Sequence, residues 1–166
     1  MPPPAIRDAR DDDAAGVIAL IGGVFAEYPG VILDVDGEIP ELRRIASWAR
    51  EHGGELWLAE DAGAIVGMCG YTRAATPGGF ELKKLYVHAS ARKSGLGTVF
   101  LDRVLTRAAA RDGRFVELWS DVKFETAHRF YERHGFTRGG TRRLGDISDT
   151  VEFHFRRPIA PREGAG

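Results

Sequence analysis

Apolar and polar positions recur with two different periods along this chain of 166 residues. Apolar residues spaced three and four apart are typical of amphipathic helices, and alternation at every second residue is typical of strands. In chain order the pattern predicts a strand over 4–9, helices over 11–28 and 38–54, strands over 54–60, 64–74 and 80–87, a helix over 95–113, a strand over 114–120, a helix over 124–136, and strands over 136–145 and 149–158.

Turn chemistry separates these segments. Asp61-Ala62-Gly63 has the length and composition of a hairpin turn, Gly135 is a candidate left-handed helix cap, and residues 31–37 are rich in turn formers. The helix over 95–113 places Leu96, Val99, Phe100, Val104, Leu105 and Ala108 on one stripe. We expect a single α/β domain over residues 1–157 and a disordered tail over 158–166, where Pro, Gly and charge occur without periodicity.

Composition narrows the function classes. The 23 basic and 24 acidic residues nearly cancel and are scattered, so no basic face indicates nucleic acid and no cationic amphipathic helix indicates a membrane surface. The first residues lack a secretory signal pattern, the single Cys69 cannot form an internal disulfide, and no apolar run approaches the roughly 18 residues of a membrane span. We therefore expect a cytoplasmic protein that binds any anionic partner locally.

A local anion site is predicted where the strand over 80–87 leads through a loop into a helix. The first N–H groups of a helix lack intrahelical partners and carry the positive end of the dipole, so they bind phosphate. Gly95 and Gly97 would let a diphosphate approach the backbone, and Arg92 and Lys93 add positive charge. The P-loop pattern is absent, and the dinucleotide fingerprint lacks its third glycine because Phe100 stands there.

Two motifs resemble the GNAT N-acetyltransferase superfamily. "RKSGLG" at 92–97 matches the acyl-CoA diphosphate loop Arg/Gln-x-x-Gly-x-Gly/Ala. "AHRFYERHGF" at 127–136 is similar to the family's second signature, Ala-x-x-Phe-Tyr-x-x-x-Gly-Phe. With the element order, the resemblance extends from Ile6 to about Arg156. It implies a mixed α/β fold in which a mostly antiparallel sheet of about seven strands splays between strands 4 and 5 and is flanked by about four helices.

The resemblance also implies acetyl-CoA as co-substrate. The backbone of the strand end would hold the pantetheine arm, a backbone N–H near Leu85 or Val87 would polarise the thioester carbonyl, and the loop N–H groups would hold the diphosphate. The cofactor-binding residues implied are Leu85, Tyr86, Val87, Arg92, Lys93, Ser94, Gly95, Leu96, Gly97 and Thr98. One position departs from the pattern, since Phe124 stands where many relatives carry an asparagine that touches the cofactor.

Catalysis by a GNAT enzyme needs a base for the acceptor ammonium and an acid for the departing thiolate. Glu81 has the spacing of the base in histone-acetylating members, and its alternative interpretation is an ion-paired glutamate beside neighbouring lysines. Tyr131 matches the family tyrosine that faces the cofactor sulfur, and its alternative is a core aromatic. Asp121 is a second candidate base or a substrate anchor, although a cap of the following helix is the preferred interpretation.

Other chemistries have weaker support. Cys69 could be imagined as a nucleophile, but a lone cysteine in an apolar strand is more often a small core residue. The histidines lack metal-site spacing, so we expect no metal, and no Gly-x-Ser-x-Gly elbow indicates a serine hydrolase.

The acceptor side is expected in the acidic segments 27–38 and 144–150. Their aspartates, Asp34, Asp36, Asp146 and Asp149, could attract a cationic amine or could simply be turn residues. The sequence thus favours an enzyme that moves an acetyl group from acetyl-CoA to a primary amine of a small molecule or peptide by direct attack. A non-catalytic acyl-CoA sensor and a nicotinamide-dependent oxidoreductase are the alternatives, the acceptor stays open, and a homodimer is possible.

Overall fold

The computed structural model describes residues 3–161. Its strands are β1 Ala5–Asp8, β2 Glu55–Asp61, β3 Ala64–Arg73, β4 Gly79–Val87, β5 Phe115–Asp121, β6 Thr137–Arg143 and β7 Val151–Pro158. Its α-helices are α1 Ala14–Phe25, α2 Val35–Glu38, α3 Ile45–Glu51, α4 Leu96–Ala110 and α5 Glu125–Arg133, with short 3-10 turns at Asp11–Asp13, Pro40–Arg44 and Ala89–Ala91. Every predicted strand and every predicted helix is present, which confirms the expected element order.

The seven strands form one sheet in the order β1-β2-β3-β4-β5-β7-β6. All neighbours are antiparallel except β4 and β5, whose parallel ladder runs from Gly79↔Phe115 to Glu81↔Glu117. A parallel pair needs a crossover connection, and α4 supplies it. The predicted mixed and mostly antiparallel α/β sheet, flanked by helices, is confirmed.

Two turn predictions are also confirmed. Ala62 and Gly63 between β2 and β3 both have positive φ, +50° and +80°, as a two-residue turn of the mirror-image type requires. Gly135 follows α5 with a φ of +86°, which is the left-handed cap conformation. These positions were identifiable because their chemistry is local.

Several boundaries differ from the prediction. Residues 31–37, predicted to be rich in turns, enter α2 at Val35, and the Asp34 carboxylate before this helix accepts a hydrogen bond from the N–H of Gly37 at 3.1 Å. The single helix expected over 38–54 is divided into the 3-10 turn Pro40–Arg44 and α3. Beyond Pro158, which lies in β7, the Ile159 N–H donates to Arg114 O at 2.8 Å, and residues 162–166 of the expected tail lie outside the described residues.

The stripe predicted on α4 is wrong at Val99, which is 37% exposed. Leu96, Phe100, Val104 and Ala108 are buried as predicted, and Leu101 is fully buried as well. Successive residues of a helix are rotated by about 100° around its axis, so Val99 lies to one side of Phe100 and Val104 lies to the other. Val99 therefore falls outside the buried arc. Apolar identity alone did not locate the edge of the stripe.

The chain divides into two compact units, each with its own core. The first comprises residues up to Arg73 and Leu82–Val104, and the second comprises Ala74–Glu81 and residues from Leu105 onward. The first core packs helical side chains against strands β2 and β3 and includes Val17, Leu20, Ile21, Leu42, Ile45, Ala49, Leu58 and Met68. Among residues 3–161, no helix is long and apolar enough to span a membrane.

A partly buried ion network joins β1 to the start of α1 in the first unit. The Arg7 guanidinium donates to both oxygens of Asp13, at 2.9 and 2.8 Å, and to Glu60 at 2.6 Å. Asp13 also accepts from the Arg10 N–H at 2.7 Å. The hydrogen bond from Arg7 lowers the pKa of Asp13 more than burial raises it.

Replacing Asp13 should therefore destabilise the fold. We expect Asp13→Ala to lower the free energy of unfolding by about 2 kcal/mol, because it leaves a partly buried guanidinium with one partner fewer. The pKa is lowered in the folded state, so this contribution is present above the unfolded-state pKa of about 3.9 and is lost as the pH falls below it. Urea unfolding at pH 7 and pH 3 measures both effects.

The adjacent Asp12 provides a matched control. Its side chain is 79% exposed and pairs with Arg10 at 3.2 Å. Asp12→Ala should change the stability by less than about 0.5 kcal/mol. Equal losses in the two variants would contradict the assignment.

Candidate active site

The predicted anion loop lies between β4 and α4. After the 3-10 turn Ala89–Ala91, residues 92–95 lead into α4, and the Val99 N–H donates to Gly95 O at 3.1 Å in the first turn of the helix. Gly95 has a φ of +84°, and a Cβ added there would meet no atom within 4 Å. The backbone at Gly95 is therefore open to a ligand on the side that a side chain would occupy.

The loop is held by its own contacts. The Ser94 hydroxyl donates to Ala91 O at 2.6 Å, and the Ser90 N–H donates to Nδ1 of His88 at 3.0 Å. Leu96 is buried in the first unit and anchors the start of α4. Gly97 and Thr98 follow in the first turn and are half-buried. The loop thus presents the start of a 15-residue helix, where N–H groups and the helix dipole favour an anion.

Arg92 lies in this loop, but its charge is paired. Its terminal nitrogens donate to the two carboxylate oxygens of Glu27 at 2.6 and 2.5 Å, and its Nε donates to Val87 O at 3.1 Å. The hydrogen bond from Arg92 lowers the pKa of Glu27. Arg92 therefore ties the end of β4 to the segment after α1, and Lys93, which is exposed with a φ of +64°, carries the other loop cation.

The end of β4 has lost the alternation of an ordinary strand. Phe80 and Leu82 are buried, whereas all residues from Lys83 to Val87 are half-buried. The Tyr86 ring contacts Phe25 edge to face at 5.8 Å. The backbone of Leu85 to Val87, predicted to hold the pantetheine arm, lies in this irregular part of the strand.

Glu81 lies at the other end of β4, in register with Glu117 on β5. Residues in register on neighbouring strands project from the same face of a sheet. The carboxylates of Glu81 and Glu117 therefore lie side by side on one face. The Glu117 carboxylate pairs with His154 Nε2 at 2.9 Å, with side chains 12% and 24% exposed. The sequence analysis did not identify Glu117 and His154. The alternation of β5, where Val116 and Leu118 are buried, indicates the face of Glu117, but only the register reveals its neighbours.

Tyr131 lies on the buried face of α5 and is 5% exposed. Its ring packs against Phe136 at 5.8 Å and Phe155 at 5.6 Å. His128, one turn earlier, shares that face, and burial lowers its pKa. The Tyr131 ring therefore lies in the core, as the alternative interpretation of this residue predicts. This packing fixes the direction of the side chain.

Asp121 is not the cap of α5. The position before the helix is Phe124, whose N–H donates to Asp121 O at 3.0 Å. The Asp121 carboxylate instead accepts from the Lys123 N–H at 2.9 Å, and its carbonyl bonds His128 Nε2 at 2.9 Å. Asp121 is buried and closes the turn that leads into α5. The cap of α5 lies three residues later in the chain than predicted.

The four aspartates of the expected acceptor segments are engaged locally. Asp36 pairs with Arg43 at 2.7 Å and Asp149 with Arg143 at 2.7 Å. Asp146 accepts from the N–H and the hydroxyl of Thr150, at 2.7 and 2.6 Å, while Asp34 caps α2. Asp34 thus caps a helix, Asp146 and Asp149 border one turn, Asp36 lies within α2, and a role of these carboxylates in attracting the amine stays a prediction.

Cys69 is a core residue, as the sequence analysis preferred. It is fully buried in β3, and burial raises the pKa of its thiol far above the usual range. Such a thiol is a poor nucleophile because the thiolate is the reactive form. Within residues 3–161, no group of three His, Cys, Asp or Glu side chains is placed to hold a metal ion.

The predicted residues are distributed over both units. The segment Leu85 to Thr98 belongs to the first unit, and Glu81, Asp121 and Tyr131 belong to the second.

Comparison with known proteins assigns the family. The profile described as the Acetyltransferase (GNAT) family matches residues 24–136, a segment that includes both the loop and Tyr131. An uncharacterized N-acetyltransferase of Methanocaldococcus jannaschii is 36% identical over 56 residues, which are 34% of this chain and 25% of that protein. The match thus spans about a quarter of that relative's length.

Solved structures share the fold. A GNAT-family acetyltransferase of Staphylococcus aureus Mu50 is 24% identical, with a TM-score of 0.79 over 94% of this chain and 99% of the other. YncA of Salmonella typhimurium, solved with its cofactor acetyl-CoA, is 14% identical, with a TM-score of 0.71 over 98% of each chain. The profile match covers well over half of the sequence, so the chain belongs to the GNAT acetyltransferase family.

Proposed function

We propose that this protein transfers an acetyl group from acetyl-CoA to the primary amine of a small molecule or peptide by direct attack of the amine. The observation that carries the proposal is the open glycine loop at the start of α4, within the segment that matches the GNAT family. When bound, acetyl-CoA supplies an acetyl group activated as a thioester.

The loop fits a diphosphate. Backbone N–H groups from Arg92 to Thr98 would bind it, because a helix start of this length favours an anion and Gly95 leaves the approach open. The backbone of Leu85 and Val87 would pair with the amides of the pantetheine arm as a neighbouring strand does. A backbone N–H in the same stretch would donate to the thioester carbonyl and stabilise the negative charge that develops there.

Glu81 is assigned as the general base. An ammonium cannot attack until it loses a proton, and Glu81 would accept that proton directly or through one water. The half-buried position at the start of β4 and the family spacing support this role. Glu117 is the neighbouring carboxylate, but it is engaged by His154, and no proton transfer is assigned to it.

Tyr131 is assigned as the acid that delivers a proton to the departing thiolate. The family signature selects this tyrosine, and packing against Phe136 and Phe155 restricts its ring to one orientation. A fixed donor lowers the barrier because little reorganisation is needed when the proton moves.

A turnover screen tests the reaction class and the acceptor together. Purified protein is incubated with acetyl-CoA and a panel of amines that includes polyamines, amino acids, aminoglycosides and peptides with free N-termini or lysines, and release of CoA is followed. Saturable, amine-dependent release supports the proposal. Tight binding of acetyl-CoA without turnover on any amine would instead indicate a sensor, and binding of NAD(P) with no binding of CoA would indicate the oxidoreductase.

Glu81→Gln should lower kcat by about 10² to 10⁴-fold at every pH between about 6 and 9, because the amide cannot accept the proton. Glu125→Gln, an exposed carboxylate of the same unit, is the control and should be neutral. A Glu81→Gln enzyme with an intact rate and pH profile would show that the base is elsewhere.

Tyr131→Phe should lower turnover by about 10²-fold with the Kd for acetyl-CoA unchanged, since only the proton donor is lost. Tyr71→Phe removes a buried hydroxyl that donates to Glu55 at 2.6 Å and serves as the matched control, with activity expected to persist. Unchanged turnover in Tyr131→Phe would remove this hydroxyl from the chemistry.

Glu27→Gln should tighten CoA binding by about threefold, because Glu27 would no longer neutralise the Arg92 charge, which would then attract the doubly negative diphosphate. The effect is small because the setting is largely solvated. Pantetheine, which has no phosphate, should bind both proteins equally. Calorimetric titration at two salt concentrations measures the difference, which should shrink at the higher one. Weaker binding of CoA and pantetheine alike would show that the Glu27 pair is needed to hold the loop.

A further inference from the structure

Lys84 has an unusual backbone conformation for its position. It lies in the interior of β4 with a φ of +59°. The other described non-glycine residues with positive φ are Ala62, Lys93, Asp112 and Asp149, and all of them lie in turns or loops. The left-handed region is disfavoured for any residue with a Cβ, and such residues persist where the surroundings hold them.

The surroundings of Lys84 supply such a hold. Its Nζ lies 3.0 Å from a carboxylate oxygen of Glu41, and the two side chains are only 14% and 18% exposed. The same Nζ lies 5.8 Å from the centre of the Trp48 ring. Glu41 belongs to the 3-10 turn Pro40–Arg44 and Trp48 to α3, so two elements of the first unit hold the end of this side chain.

The conformation of Lys84 changes the course of the strand. From Phe80 to Lys83, buried and half-buried residues alternate, and from Lys84 to Val87 they do not. A left-handed residue in a strand acts as a bulge, which turns the following peptide groups away from the regular pleat. The direction of the N–H and C=O groups of Leu85 to Val87 therefore depends on the conformation of Lys84.

We propose that Glu41 and Trp48, by holding the Lys84 side chain, keep Lys84 left-handed and so aim the backbone of Leu85 to Val87 at the thioester. Glu41, Trp48 and Lys84 are positioning residues in this scheme, and none of them touches the reacting atoms. The part that concerns the thioester rests on the proposed function, whereas the anchoring of the backbone does not.

A competing interpretation is that the ion pair only stabilises the fold. Lys84→Ala and Lys84→Gly separate the two interpretations, because both remove the ion pair and only glycine adopts positive φ without a steric cost. If the strand keeps this residue left-handed without the ion pair, Lys84→Gly is the more stable of the two. If the side chain holds the conformation, as we propose, both variants relax to an ordinary strand, and the Tm of Lys84→Ala should lie about 1 to 4 °C above that of Lys84→Gly.

Lys83 is the matched control, since it is the preceding residue of the same strand and is not among the residues with positive φ. Lys83→Gly should melt below Lys83→Ala by a similar interval. If Lys84→Gly melts at or above Lys84→Ala, or if neither Lys84 variant folds, the proposal is overturned. A folded alanine variant beside an unfolded glycine variant supports it.

Kinetics then test the consequence for the site. Glu41→Gln should lower kcat about tenfold with the KM for acetyl-CoA within twofold, and the same change in the Lys84→Gly background should have no further effect. Equal losses in both backgrounds would overturn the proposal. A wild-type protein without any acetyl transfer would refute the proposed function alone. The order of the Tm values would still test whether the side chain of Lys84 holds its backbone.

Discussion

The parallel pairing of β4 with β5 is the constraint on which the candidate site depends. Two adjacent parallel strands cannot be joined by a tight turn, so the chain must leave the end of β4 and return through a crossover. That crossover is the loop 88–95 followed by α4, and the start of this 15-residue helix presents its first N–H groups beside open glycine backbone. The topology thus creates the helix start at which we propose that the diphosphate binds, and the glycine keeps that backbone accessible.

Of the two cations in the loop 92–95, one is already paired within the protein. The loop motif suggests Arg92 as a phosphate ligand. The guanidinium of Arg92 donates hydrogen bonds to Glu27 and to Val87 O. A nearly neutral chain can still bind an anion under these conditions, because backbone N–H groups and the helix dipole act without a net side-chain charge. The Arg92 side chain also ties β4 to the segment after α1, and its role as a cofactor ligand stays a prediction.

Left-handed backbone occurs in two different settings. A turn, an open loop and a helix cap require positive φ at Gly63, Gly95 and Gly135. The absence of a Cβ lowers the free-energy cost of this conformation. Lys84 adopts it inside a strand, where the side chain must be held by Glu41 and Trp48. Strain of this kind is concentrated at functional sites, and here it lies beside the backbone assigned to the thioester.

The sequence alone determined what depends on neighbouring residues: the order of the helices and strands, the hairpin turn at Ala62 and Gly63, the cap at Gly135, and the two motifs that identify the family. Tertiary structure decided the contacts that join distant residues, such as Glu81 beside Glu117, Arg92 with Glu27 across 65 positions and Lys84 with Glu41 across 43. It also decided the exposure of Val99 and the conformation of Lys84. Periodicity and turn chemistry are local properties, whereas register, ion pairing and strain depend on which surfaces meet, and a single sequence does not encode those meetings in any local pattern.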